Sequence, residues 1–302
     1  MDHCSPSPPL DTQAAMARKI RGRVVEMSHA AKTPHLGSAL SCVDILVAAY
    51  WGAMRIDPAQ PLDPGRDRFL LSKGHAATAL YATLAYRGFF DPQLLERFNC
   101  DGGALAEHPS LQCVPGVEAA TGSLGHGLPL ALGMALAQRI RGPRFRSFVL
   151  MSDGECEEGT VWEAALFAAA QRIQSVLAVV DYNKWQATGR SNEIMALCPL
   201  AEKWRAFGWS AHELDGHDLA ALRSALAALP DGSGKPVALI AHTVKGKGIS
   251  FMEDDNNWHY RIPTGDEVLA ARRELGLADT PLAASQPPSP PTPLPKGEGT
   301  SP

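Results

Sequence analysis

Residues Ser147–Lys184 read SFVLMSDGECEEGTVWEAALFAAAQRIQSVLAVVDYNK, and the changes of character along them decide the fold. Ser147–Met151 and Val176–Val180 are short, unbroken apolar runs, the pattern of strands buried on both faces. Between them, Val161–Ile173 has the length and alanine content of a helix. Each apolar run passes at once into polar residues, Ser152-Asp153-Gly154 after the first and Asp181-Tyr182-Asn183 after the second. Strand, helix and strand, with about 20 residues between the strands, make a parallel crossover unit. A third strand candidate, Pro236–Ala241, follows a helix-like stretch at Asp218–Leu229. The expected fold is α/β: a doubly wound, mostly parallel sheet with helices on both faces.

Working outward, Asp11–Ala31 reads as a helix, with Ala15, Ile20, Val24 and Met27 near the helical period. Lys32-Thr33-Pro34 ends it, because the residue before a proline is pushed out of helical geometry. From Ser41 a second helical run begins, CVDILVAAYWGAM. Residues 11–278 form the expected α/β domain. Residues 1–10 are rich in proline and serine, and residues 279–302 are proline-rich with little to bury, so both ends are expected to be disordered.

The chain has 302 residues, 45% of them hydrophobic, and a formal net charge of −4, which is ordinary for a soluble metabolic protein. A slightly acidic balance offers no electrostatic attraction for nucleic acid or an anionic membrane. No stretch is expected to reach the roughly 18 apolar residues of a membrane span. Six cysteines are scattered without a C-x-x-C pair, which fits reduced thiols. MDHCSPSPPL lacks the basic and apolar regions of a signal peptide, so a cytoplasmic location is expected.

Open α/β sheets bind ligands beyond the carboxyl ends of their strands. Asp153-Gly154 and Asn183 both lie there, one crossover apart. By default Asp-Gly after a strand is a turn, and so is Asn-Lys. Taken together, the Asp153 carboxylate and the Asn183 amide oxygen could hold a hard cation. Mg²⁺ often takes only one or two protein carboxylates when a phosphate group supplies further oxygens. Gly154 has no Cβ, so its N–H can approach a phosphate closely.

This pair, at this spacing, resembles the thiamine-diphosphate signature of Gly-Asp-Gly followed by Asn, with Ser152 in place of the first glycine. Three further segments resemble transketolase, in that family's order: DRFLLSKGHAATALYA (Asp67–Ala82), HPSLQCVPGVEAATGSLGHGLPLALGMALAQ (His108–Gln138) and VKGKGISFMEDDNNWH (Val244–His259). The resemblance implies the thiamine-diphosphate-binding fold and both cofactors, thiamine diphosphate and Mg²⁺. It implies Asp153, Asn183 and the Trp185 backbone carbonyl as Mg²⁺ ligands. Gly154, Asn183, Ser38, His75 and Lys245 would face the diphosphate, and Gly122 and Leu124 the aminopyrimidine. His35, His75, His108 and His259 would line the reacting centre, with His259 also beside the cofactor. Glu158 and Glu163 would link two active sites across a subunit interface. Lys73 gains a point-charge role by the same context, whereas His3, His29, His212, His217 and His242 are left as surface or packing residues. Two positions depart from the family pattern: His126 stands where glutamine is frequent, and Tyr260 where glycine is frequent.

Thiamine diphosphate supplies a carbanion, leaving the protein to move protons on sugar hydroxyls. Histidine suits that task because its ordinary pKa is near 6.5. The family's pyrimidine-binding domain carries a glutamate that activates the cofactor, and this chain holds no such segment. The expectation is a split enzyme, with a separate C-terminal subunit in an α₂β₂ assembly, transferring a two-carbon ketol unit between sugar phosphates. The alternatives are a 2-oxo acid dehydrogenase-type component, which the four histidines argue against, and a non-catalytic cofactor-binding subunit.

Overall fold

A computed structural model describes residues 8–142 and 144–277. Five strands form one sheet: β1 (Arg68–Leu71), β2 (Ser147–Ser152), β3 (Val176–Tyr182), β4 (Ser210–Asp215) and β5 (Val237–His242). Their spatial order is β1-β2-β3-β5-β4, and every neighbouring pair is parallel. The helices are α1 (Leu10–Ala31), α2 (Leu36–Ser41), α3 (Val43–Ala48), α4 (Ala77–Arg87), α5 (Gly127–Arg141), α6 (Gly159–Ala170), α7 (Ser191–Ile194), α8 (Leu200–Ala206), α9 (Leu219–Ala227) and α10 (Gly265–Glu274).

Alternation along the strands separates two cores. Phe148, Leu150, Leu177 and Val179 pack with α1 to α4 and α9, while Val149, Met151, Ala178 and Val180 pack with α5, α6 and α8. Both faces are therefore covered, which is why β2 and β3 read as continuous apolar runs. Each fully buried Val, Leu, Ile or Phe contributes about 1.5–3 kcal/mol relative to exposure.

Several boundaries differ from the sequence expectation. Helix α1 starts at Leu10, and Gln13 donates to the Pro8 carbonyl, so order begins before residue 11. It stops where Lys32 turns left-handed (φ 55°) and its N–H caps the Ser28 carbonyl. The run from Ser41 is broken at Cys42 and finishes in a π-turn at Ala49–Ala53. Residues Leu36–Ala53 form an 18-residue stretch of mean hydropathy 1.4, which corrects the expectation that nothing approaches membrane-span length. That stretch is 83% buried, so its apolarity is accounted for by the core. Strands β1 and β4 had no sequence assignment. The short ends, residues 1–7 and 278–302, lie outside the described residues, and the expected disorder there with them. The five described cysteines are all free thiols.

Because every strand runs the same way, their carboxyl ends share one edge. That edge collects Lys73 after β1, Asp153 after β2, Asn183 after β3 and Lys245 after β5.

Candidate functional site

Ser152 pairs in register with Asp181, which sets Asp153 beside the segment carrying Asn183. Asp153 is fully buried. Its Oδ1 accepts from the Gly154 N–H (2.9 Å), and its Oδ2 accepts from the Lys184 N–H and the Ser191 hydroxyl, both at 2.8 Å. Burial raises its pKa to about 6, against the lowering effect of the Ser191 hydrogen bond. Asn183 is buried too, and its Oδ1 accepts from the Trp185 N–H (3.0 Å). The Trp185 carbonyl takes no hydrogen bond from the described residues. A buried carboxylate without an ion-pair partner among the described residues, an amide oxygen and a spare carbonyl form an oxygen donor set that suits Mg²⁺. No group of three His, Cys, Asp or Glu among the described residues could hold a metal, so a nitrogen- or sulfur-rich centre is not present there.

Beneath this edge, Lys73 and Asp181 form an ion pair with no exposed side-chain surface. Lys73 also donates to the Ser38 carbonyl (3.0 Å), and Asp181 accepts from Ser41 (2.6 Å) and Thr243. The expected point-charge role of Lys73 is thus already engaged by a carboxylate. Lys245 is different: its ammonium donates to the Asn256 Oδ1 (2.7 Å) and lies 3.0 Å from His259 Nδ1. Burial, reinforced by the charge of Lys73, lowers its pKa to about 7.

The four expected histidines converge. The His35 ring centre lies 5.4 Å from that of His75, 6.1 Å from His108 and 5.0 Å from His259, while His75 and His259 are 6.2 Å apart. His35 sits in left-handed geometry (φ 69°) ahead of α2, and its N–H donates to the His259 carbonyl (2.7 Å). That bond brings the segment after β5 onto the start of α2. Burial lowers the pKa of His35, with Glu107 at 3.4 Å acting the other way. Burial, then Lys73 and the neighbouring rings, holds His75 well below its ordinary value. Burial, then Lys245, takes His259 down to about 3. These three imidazoles are neutral at pH 7 and can hydrogen-bond as donor or acceptor. Tyr260 does not displace His259; its ring stands 4.7 Å from it and 6.3 Å from His35.

Gly122 adopts φ 133°, and a Cβ there would lie 2.6 Å from His108 Cδ2, so the TGSLGHG turn abuts the histidine cluster. Leu124 is half-buried in the same turn, and its carbonyl receives His126 Nδ1 at 3.1 Å. Glu158 and Glu163 are exposed at the start of α6, outside the histidine cluster. His217, expected to be an ordinary packing residue, bridges Asp44 (2.7 Å) and the Val244 N–H (2.9 Å). Residues that sequence reasoning passed over include Asp181, Ser191, Asn256 and Glu155. Only the adjacency of Glu155 to Asp153-Gly154 could have marked it.

Similarity to known proteins agrees with this geometry. The family described as transketolase, thiamine diphosphate binding domain, matches residues 12–286. The chain belongs to that family. It is 38% identical over 266 residues to one subunit of the apulose-4-phosphate transketolase of Phocaeicola vulgatus, covering 88% of this chain and 94% of the relative. It is 42% identical over 241 residues to one subunit of the 6-deoxy-6-sulfo-D-fructose transketolase of a Clostridium species, covering 80% and 88%. A transketolase crystal structure from Campylobacter jejuni superposes with a TM-score of 0.84 at 26% identity, covering 92% of this chain and 45% of that one. The chain therefore spans about half the length of the solved transketolases it matches. It is an enzyme chain of transketolase type, the counterpart of single subunits in those two relatives, with a thiamine-diphosphate-binding domain. Family membership favours ketol transfer over the dehydrogenase alternative.

Proposed function

We propose that this chain holds thiamine diphosphate through Mg²⁺ and, with a separately encoded C-terminal subunit, transfers a two-carbon ketol unit from a ketose phosphate to an aldose phosphate. The observation that carries the reading is the convergence of His35, His75, His108 and His259 beside Asp153, Asn183 and Lys245 at one edge of the sheet. Asp153, Asn183 and the Trp185 carbonyl would hold the metal. Gly154, Ser38, His75 and Lys245 would face the diphosphate, and Gly122 and Leu124 the aminopyrimidine. The bound cofactor supplies the carbanion. The imidazoles hold sugar hydroxyls and pass protons at the hydroxyl and carbonyl oxygens of donor and acceptor.

A second polypeptide is supported by exposed apolar side chains on adjacent helices: Leu130 and Ile140 on α5, Leu166 and Phe167 on α6. Glu158 and Glu163 lie exposed on α6, where an α₂β₂ assembly would let them link active sites. A cytoplasmic location and a place in pentose phosphate metabolism belong to the same proposal. The named relatives act on different ketoses, so the substrate assay starts with xylulose 5-phosphate and ribose 5-phosphate and extends to other ketoses.

The test is to purify the chain alone and with candidate neighbouring gene products. Ketol transfer is expected only from the pair, and Asp153→Ala is expected to abolish it together with Mg²⁺-dependent binding of thiamine diphosphate. Turnover by the isolated chain would refute the split site; unchanged cofactor affinity in Asp153→Ala would refute the metal assignment.

A further inference from the structure

Glu155 is a fully buried carboxylate with no ion-pair partner among the described residues, and the groups hydrogen-bonded to its carboxylate are donors. Its Oε1 accepts from the Gly125 N–H (2.8 Å) and from the Ser72 hydroxyl; its Oε2 accepts from the Ser152 N–H (3.2 Å). The Ser72 oxygen in turn accepts from the Gly127 N–H (3.1 Å). One side chain thus ties together the end of β1, the end of β2 and the TGSLGHG turn.

The turn is gripped from its other side as well. Thr160 donates to the Gly125 carbonyl (3.1 Å). Gly125 has φ 84°, and a Cβ there would meet Thr160 Oγ1 at 2.3 Å and Glu158 Cβ at 2.9 Å; a Cβ on Gly127 would meet Ser72 Oγ at 2.2 Å. The turn therefore has little freedom to shift while Glu155 stays in place. Gly122 and Leu124 come just before Gly125, and Asp153-Gly154 just before Glu155.

We infer that Glu155 is a positioning residue that sets the separation between the Gly122–Leu124 turn and the Asp153–Gly154 turn, so that a ligand touching both is held only while this clamp is intact. The identity of that ligand rests on the thiamine-diphosphate reading. The chemistry explains the residue type. A carboxylate offers two acceptor oxygens and no donor, matching the N–H and O–H groups that face it. Burial raises its pKa, and the hydrogen bonds from Ser72, Gly125 and Ser152 act the other way, in favour of the carboxylate. Glutamine keeps the shape but turns an NH₂ toward one of those N–H groups, releasing one turn.

The experiment compares the full chain with Glu155→Gln and Ser72→Ala, titrating inorganic pyrophosphate and thiamine diphosphate, each with Mg²⁺, by calorimetry. Pyrophosphate reaches only the Asp153–Gly154 side, whereas thiamine diphosphate spans both turns. Glu155→Gln is expected to weaken thiamine diphosphate by about tenfold or more beyond any change for pyrophosphate. Ser72→Ala should do the same to a smaller degree, and it serves if Glu155→Gln fails to fold. Equal losses for the two ligands, or no loss, would overturn the inference. Amide hydrogen exchange reads the clamp without any ligand: Gly125 or Ser152 should exchange faster in Glu155→Gln, and unchanged exchange at both would overturn it. Wild-type chain that binds neither ligand would instead sink the cofactor reading, while the exchange result still decides the clamp.

Discussion

Lys73 and Lys245 start from the same sequence signal, a lysine followed by glycine, and both end fully buried just past a strand. Their chemistry then diverges. Lys73 meets Asp181, and although burial pulls its pKa down, that carboxylate holds it above its ordinary value. Among the described residues Lys245 meets neutral partners, Asn256, His259 and the Gln186 carbonyl, and burial takes it down to about 7. Burial alone does not assign a role to a lysine; the partner does. Lys73 is a post that supports the Ser38 segment, whereas Lys245, which pairs with no carboxylate among the described residues, would be held in its charged form by an incoming anion.

The largest effect expected from this contrast is on stability. Lys73→Met leaves Asp181 buried and unpaired, which should cost about 3–5 kcal/mol in urea denaturation of the full chain. A variant as stable as wild type would break the distinction. Lys245→Met should behave oppositely. It should weaken thiamine diphosphate binding about 10–100-fold in calorimetry, the range for one charge-assisted hydrogen bond, without lowering the thermal midpoint at pH 7.

The pH dependence sharpens that second expectation. The folded pKa of Lys245 lies near 7 and its ordinary value is 10.5, so the unfolded chain binds the extra proton between them. The unfavourable contribution of burying this lysine is full below about 7 and fades as pH rises toward 10.5. Any stability gained by Lys245→Met should shrink over that window, and a gain independent of pH would remove desolvation as its cause. The smallest effect falls on His259. Lys245 is the leading cause, after burial, of its pKa near 3, so the ring should titrate at higher pH in Lys245→Met. Histidine ring resonances in NMR would show it; an unmoved titration would mean that the two groups do not interact.

Much of the fold was legible because β2 and β3 are buried on both faces and leave unbroken apolar runs. Strand β4 escaped for the complementary reason: it is an edge strand reading SAHELD, with Ala211 buried, Leu214 half-buried and polar residues at the other four positions. Strand β1 has only four residues, too short for a periodic signal. At the site, Asp153, Asn183 and the four histidines were found through motif order. Asp181 and Ser191 were not, because each acts through a partner distant in the chain, at Lys73 and Asp153; Asn256 lies in the same quoted segment as its partner Lys245, but only the fold of that loop brings the two together.

Local patterning by itself determined the α/β class, the parallel crossover and the carboxyl-edge location of Asp153 and Asn183, which follow from periodicity and from residues close along the chain. The four histidines came from the resemblance of separate segments to transketolase. The tertiary structure alone decided which lysine is neutralised, how far the imidazoles fall below their ordinary pKa, and that Glu155 joins two turns. Charge state and hydrogen bonding depend on burial and on distances between groups remote in sequence, and only the folded chain sets those.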